Sequence, residues 1–231
     1  DSKILKLKSN DNFINHKKIF ISKSVKMNSN TVLDATDGSI VISDNVKIEP
    51  FCFIKGPVFI GKNTLVKSGT RIYGPAVIGE YSKVAGEIAE SVLHSYVNKQ
   101  HDGFLGHSYI CPFVNLGADT VTSDLKNNYS GININVNGKD TDTGMQFLGS
   151  ILGDHTKTSI NTMLNTGTVA GIFANIFGGG FPEKSIGSFA WYDSAKTPVK
   201  YDFEKAIATA KIVMERRGVI LSKNYEDLVK T

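Results

Sequence analysis

Three of the five histidines, His94, His101 and His107, fall together in the stretch "HSYVNKQHDGFLGHS" at 94–108. Imidazole is the commonest transition-metal ligand and the side chain best suited to take a proton near neutral pH. A zinc site needs three or four such groups converging on one point. A general base needs a single one, within hydrogen-bond reach of a substrate proton. Which chemistry these residues can do therefore depends on the backbone that carries them.

The bulk composition narrows the setting. The chain has 231 residues, 41% of them hydrophobic and 21% charged, with a formal net charge of +4. No run of 18 apolar residues occurs, which excludes a spanning helix and leaves the membrane out as a partner. The opening "DSKILKLKSND" alternates Ile4, Leu5 and Leu7 with lysines and has no signal-peptide core. Asp stands at position 1, which suggests a piece cut from a longer polypeptide. Two cysteines, Cys52 and Cys111, are too few for a disulfide framework, so a cytoplasmic setting is expected. Lysines are scattered, and Lys17-Lys18 and Arg216-Arg217 are the basic doublets. Without basic runs interleaved with aromatics, nucleic acid is not an expected partner; small anions such as phosphates suit this pattern better.

The element that must position the histidines shows itself as a period. Stepping by six from Ile42 gives Ile48, Ile54, Ile60, Val66, Ile72, Ile78 and Val84, all Ile or Val. Four residues after each anchor stand small or modest side chains: Val46, Cys52, Val58, Thr64, Thr70, Ala76 and Ser82. A helix repeats at 3.6 and an ordinary amphipathic strand at 2, so neither explains a period of six. Short strands joined by tight turns, each sending one aliphatic chain inward, do explain it. Such units bury a core only by stacking. The expected fold is an all-β solenoid, a left-handed parallel β-helix of hexapeptide repeats. The frame recurs at Phe104, Ile110, Leu116 and Thr122, then at Leu152, Thr158, Leu164, Ala170 and Ile176, with a looser early set at Ile21, Met27 and Leu33. It breaks between Val84 and Phe104 and again between Thr122 and Leu152. Both breaks read as loops leaving the coil, where function commonly sits.

The last residues change character. Phe203, Ala206, Ile207, Ala210, Val213 and Met214 have helical spacing, Asp202 can cap the start, and Arg216-Arg217-Gly218 can end it. The expected division is a β-helix over 1–200 and a helical cap over 201–231 that closes an exposed end of the solenoid. Within a three-sided coil six residues advance one face, so His101 and His107 point in different directions. They make a poor metal site within one chain. A zinc site shared between subunits, as in hexapeptide-repeat carbonic anhydrases, is the metal alternative. His94 is expected inside the first loop, and both His94 and His107 as polar surface or hydrogen-bonded histidines.

From "HDGFLGHSYICPFVNLGADT" onward the chain resembles hexapeptide-repeat acetyltransferases of the glucosamine-1-phosphate N-acetyltransferase type. Their motif reads roughly His-x-x-Tyr-x-Gly-Asp followed by Val-Asn-x-Gly-Ala-Gly-Thr. Here the same spacing holds His101, Phe104, Gly106, His107 and then "VNLGADT" from Val114 to Thr120. The wording "NKQHDGFLGHSY" and "GDHTKTSINTMLNTGTVAG" is similar to a subgroup of Bacteroidetes-like bacteria described as sugar nucleotidyltransferases. The resemblance covers most of residues 40–217. It implies His101 as the general base on the sugar amine, with Asn115 lining the same pocket. It also implies Ala118 and Ser159 against the thioester or pantetheine of acetyl-CoA, and Arg71 on the sugar phosphate. Lys99 and Lys126 stand in for the family's phosphate-binding lysines. Phe104 replaces a tyrosine, His107 an aspartate, Asp119 a glycine, and Asp124, grouped with the substrate-binding positions, an asparagine.

The resemblance thus implies an acetyl-CoA-dependent N-acetyltransferase acting on an amino-sugar phosphate, without a metal in its site. It also implies a homotrimer, and a covalently linked nucleotidyltransferase domain in a bifunctional parent. The rivals are a different acyl transfer on a sugar or sugar nucleotide, and a non-catalytic solenoid that trimerises or regulates a nucleotidyltransferase domain.

Overall fold

The computed structural model describes residue 5 and residues 12–193 and 197–230; the alternating Ile4 and Leu7 of the opening stretch lie outside them. The chain winds as a parallel β-helix with three faces. Among the described residues, face 1 stacks six strands, from Phe13–Ile14 up to Phe104–Gly106. Face 2 stacks nine, from Ile19–Ile21 to Ser185–Ile186. Face 3 runs from Lys26–Met27 to Asn98–Lys99 and continues through single bridges at Asn115 to Lys157–Thr158, Asn175–Phe177 and Ala190–Asp193. None of the described helices is long and apolar enough to cross a membrane.

The period of six works as the sequence requires. All eight anchors from Ile42 to Val84 are at most 1% exposed, and the seven smaller residues between them are at most 4% exposed. Each anchor sits directly over its counterpart one coil away, as in Ile54, Ile72 and Ile88. Burying an aliphatic side chain this fully contributes about 2–3 kcal/mol relative to exposure. One coil alone has nothing to bury it against, which is why the repeats must stack.

The first break in the frame is not a loop. The coil runs on through Ile88, Leu93, Lys99 and Leu105, with steps of four or five residues where a corner is shortened. Leu105, not Phe104, is the buried anchor of its strand; Phe104 lies on the outer surface in register with Glu87 and Arg71. His94 consequently sits on the coil at the end of a face 2 strand, with Nε2 2.6 Å from the Tyr109 hydroxyl. The second break is a true insertion. Residues 123–150 leave the coil, form the hairpin Asn133–Val136 with Lys139–Asp142, and return so that Ile110 pairs directly with Leu152. Asn137 and Gly138 both have positive φ, as a tight hairpin turn needs.

The C-terminal helix does not cross the end of the solenoid. Helix α1 (Phe203–Glu215), capped by the Asp202 side chain on the Lys205 amide, lies along the flank of the coil with α2 (Lys223–Lys230). It covers a ladder of rings, Tyr81, Tyr96, Phe113, His155, Phe173 and Phe189, which stack at centroid spacings of 4.7 to 5.1 Å. That spacing is the rise of one coil. Every ladder residue has φ between 56 and 65°, the left-handed conformation of one corner of the helix. Ala206, Ile207, Ala210 and Met214 bury themselves against this column, which is why the apolar stripe of α1 turns sideways. His155 is 0% exposed within the ladder, and burial pushes its pKa down to about 3. Neither of its ring nitrogens has a hydrogen-bond partner among the described residues.

Candidate functional site

The corner between faces 3 and 1 carries the candidate base. In the coils above, three steps separate the buried anchor from the positive-φ corner residue, Leu116 to Asp119 and Thr158 to Asn161, and in the coil below two, Val84 to Gly86. In the His101 coil the anchor is Lys99 and the corner residue Gly103, four steps apart. The turn keeps the ordinary length, since Lys99 to Leu105 spans six residues as Leu116 to Thr122 and Thr158 to Leu164 do. The corner below it, Val84 to Ile88, spans only four, and His101 stands exposed on the longer turn. Among the described residues no side chain bonds the imidazole. Gly103, at φ 119°, passes so close to the next coil that an added Cβ would lie 2.2 Å from the Thr120 carbonyl oxygen.

Lys99 explains how this turn is held. Its column on face 3 is otherwise filled by Met27, Ile48, Val66 and Val84, so the ammonium replaces an aliphatic anchor. The side chain is 2% exposed, and Nζ donates to the His101 carbonyl at 2.7 Å. Burial depresses its pKa to about 8, with Asp102 and Asp119 opposing. The sequence placed Lys99 on a substrate phosphate; the structure turns it inward, where it ties the His101 turn from inside the coil.

Asn115 lies on the outer surface of face 3, between Asn98 below and Lys157 above. Asn98 Nδ2 donates a short hydrogen bond to Asn115 Oδ1. Ser159 is two residues beyond Lys157 on the same face, and Ala118 occupies the corner one coil above His101, its carbonyl accepting from the Asn161 amide at 2.8 Å. His101, Asn115, Ala118 and Ser159 thus share one corner and the face beside it.

The other expected residues are elsewhere. Arg71 is on face 1, in the column Arg71, Glu87, Phe104, with Nε and Nη2 each 3.3 Å from Glu87 Oε2. Asp124 and Lys126 belong to the inserted segment at the far end of the Phe104–Gly106 strand. Lys126 Nζ reaches back to the Gly131 carbonyl within its own loop. Asp124 Oδ2 meets His107 Nδ1 at 2.8 Å, and His107 Nε2 meets Glu90 Oε2 at 3.0 Å. Phe147 stacks on the same imidazole at 5.0 Å. His107, expected as a polar surface or hydrogen-bonded histidine, takes the second form and fastens the insertion to the coil. Gly106 permits this, because an added Cβ would lie 2.4 Å from Asp124 Oδ2.

Sequence reasoning missed Asn98, which a count of one coil, about 17 residues, would have placed beside Asn115, and Lys157, which the insertion sets 42 residues further on. It also missed the end of α1, whose Arg217 donates a short hydrogen bond to the Tyr81 carbonyl. Burial and the Asp154 carboxylate push the Cys111 thiol up to about 11, which disfavours its thiolate. Among the described residues no three His, Cys, Asp or Glu side chains are grouped to hold a metal.

No protein-family model matches the chain. It is 30% identical over 166 residues to a bifunctional sugar-1-phosphate nucleotidylyltransferase/acetyltransferase of Sulfurisphaera tokodaii, a match covering 63% of this chain and 40% of that protein. It is 27% identical over 107 residues to the bifunctional protein GlmU of a Picosynechococcus strain, covering 46% of this chain and 20% of the other. The chain therefore matches less than half the length of these curated relatives. Among solved structures, LpxA of Acinetobacter baumannii aligns with 90% of this chain and 78% of its own, at 13% identity and TM-score 0.31. AntD of Bacillus cereus, an N-acyltransferase crystallised as a point mutant with dTDP and coenzyme A, aligns with 86% and 88% at 14% identity and TM-score 0.27.

Proposed function

We propose that the protein transfers the acetyl group of acetyl-CoA to the amine of an amino-sugar phosphate, with His101 as general base. The observation that carries this reading is the exposed turn at the corner of faces 3 and 1, which presents a single imidazole beside the Asn115 face. The sugar amine attacks the thioester carbon, His101 takes the proton the amine loses, and the coenzyme A thiolate departs as the amide forms. An imidazole is suited to that proton near neutral pH. Asn115 donates from the neighbouring face, while Ala118 and Ser159 border the path of the pantetheine. Arg71, Asp124 and Lys126 act on the acceptor from adjoining copies in a homotrimer, since one chain leaves them far from His101. The relative described as both nucleotidylyltransferase and acetyltransferase supports this reading, and with it a parent that carries a linked nucleotidyltransferase domain.

One observation favours a second reading, acyl transfer to a different sugar or sugar nucleotide. Glu87 already occupies the Arg71 guanidinium, and Phe104 lacks the hydroxyl its position would offer a sugar. The deciding experiment is thiol release from acetyl-CoA with a panel of amino-sugar phosphates, amino sugars and sugar nucleotides. Turnover confined to amino-sugar phosphates is the expected result. Turnover with sugar nucleotides alone would move the conclusion to the second reading, and none with any acceptor would overturn both.

A further inference from the structure

The C-terminal end of α1 and the outer surface of face 3 enclose a cavity of about 370 Å³. Lys83 and Lys157 enter it from the coil, Arg216 and Arg217 from the end of the helix, with Asn98 and Asn115 between them. Among the described residues no carboxylate lines it. None of the ion pairs among the described residues involves any of these four cations. Positive charge this concentrated is costly, because like charges repel and partial burial weakens the screening. The chain shows the cost at two places. Burial lowers the Lys157 ammonium to about 8, its Nζ satisfied by the His155 carbonyl at 2.9 Å. Burial, with Arg216 adding to it, lowers the Arg217 pKa, while the guanidinium lies 5.8 Å from the centre of the Tyr96 ring.

Structural needs do not explain the arrangement. The helix is already held by its apolar stripe on the ring ladder, and Arg216 and Lys83 make no side-chain bond among the described residues. A doubly charged anion would relieve the repulsion, and guanidinium forks, ammonium groups and amide N–H donors are the groups that bind phosphate oxygens. A cavity of this volume is in the range that holds a small phosphorylated molecule.

We propose that this cleft binds a phosphate or diphosphate group, clamped between face 3 and the end of helix α1. The site does not depend on acetyl transfer. It differs from the Arg71 position, which lies on another face and is already paired. The phosphate can come from coenzyme A or from a phosphorylated acceptor.

Calorimetric titration of the full chain distinguishes the sources. The ligands are pyrophosphate, coenzyme A, 3′-dephospho-coenzyme A, glucosamine 1-phosphate and glucosamine, each at low and high salt. Pyrophosphate is expected to bind, more weakly at high salt, and the double variant Lys83→Gln/Arg216→Gln to weaken it about tenfold or more. Neither substitution removes a bond that holds the fold, and circular dichroism checks this. A loss in the variant for coenzyme A, larger than for the dephospho form, assigns the cleft to the 3′-phosphate. An equal loss for both forms assigns it to the diphosphate. A loss for glucosamine 1-phosphate, with glucosamine unaffected, assigns it to the acceptor. No binding by any phosphate ligand, or affinities unchanged in the double variant, would overturn the proposal. Acetyl transfer that persists in that case would leave the enzymatic reading standing. Pyrophosphate binding without any acetyl transfer would overturn that reading alone.

Discussion

His101 and His107 flank the same three-residue strand, Phe104–Gly106, yet the two corners treat the same side chain in opposite ways. At one end the imidazole is exposed on its turn, and its backbone is held by a buried lysine. At the other both ring nitrogens are taken by Asp124 and Glu90, and Phe147 covers a ring face. A proton acceptor must keep a nitrogen free for substrate; a fastener must not. The coil separates these uses by one face, and the residue type alone distinguishes nothing.

Several substitutions break this contrast. His101→Ala should lower acetyl turnover by roughly 10²–10⁴-fold while leaving coenzyme A affinity and the unfolding midpoint unchanged. Steady-state rates beside calorimetry check this, and a variant as active as the parent would remove His101 from the chemistry. Ile72→Ala, in the coil beneath both corners, should cost about 2–5 kcal/mol in urea unfolding, because the anchor column cannot collapse around the void. His107→Ala should act the other way round from His101→Ala. It leaves Asp124 partly buried without its partner, costing on the order of 1–3 kcal/mol. Faster amide exchange confined to 123–150, with at most a modest change in turnover, is the expected pattern; equal kinetic damage at both histidines would erase the contrast.

Lys99→Met sharpens it further. The methionine keeps the aliphatic bulk of the anchor column but leaves the His101 carbonyl without its donor, so kcat should fall severalfold with coenzyme A affinity steady. The same substitution should change stability above neutral pH. The folded-state pKa of Lys99, about 8, lies below the ordinary 10.5, so between those values the unfolded chain binds more protons and stability rises with pH. Lys99→Met should flatten that rise in denaturant melts, leaving the part due to Lys157, which shares the depression to about 8. At the acid end His155 predominates. Its folded pKa of about 3 against 6.5 means that stability falls as pH drops from 6.5 toward 3, and His155→Phe, which continues the ring ladder, should abolish that loss. An unchanged acid profile would mean that the ladder does not hold His155 neutral.

The anchors from Ile42 to Val84 were legible because every corner between them has the same length, so burial leaves a fixed period in the sequence. Past Val84 two corners shorten, to four and five residues between anchors, and a template of six mistakes a continuous coil for a loop. The His101 turn follows that irregular stretch, whose shift of frame hid the inward course of Lys99. His101 and Asn115 were nominated through resemblance; their placement on one corner follows from coil register. The ring ladder was illegible for another reason: Tyr96, Phe113 and His155 recur at 17 and then 42 residues, since the insertion intervenes. The cleft joins Lys157 to Arg217 across sixty residues through a helix that packs sideways, and no local pattern reports such a meeting.

The direct pairing of Ile110 with Leu152 has a consequence for how this molecule can change. The coil counts turns, not residues. A segment grown at the corner where 123–150 leaves the stack lengthens the path between neighbouring strands without shifting any strand above or below it. Closing such an excursion costs only about 0.6 kcal/mol for each doubling of its length. Segments of very different size and chemistry can therefore be traded at that corner while the His101 turn and the clamp of α1 keep their places, with the stack serving as a ruler marked in coils.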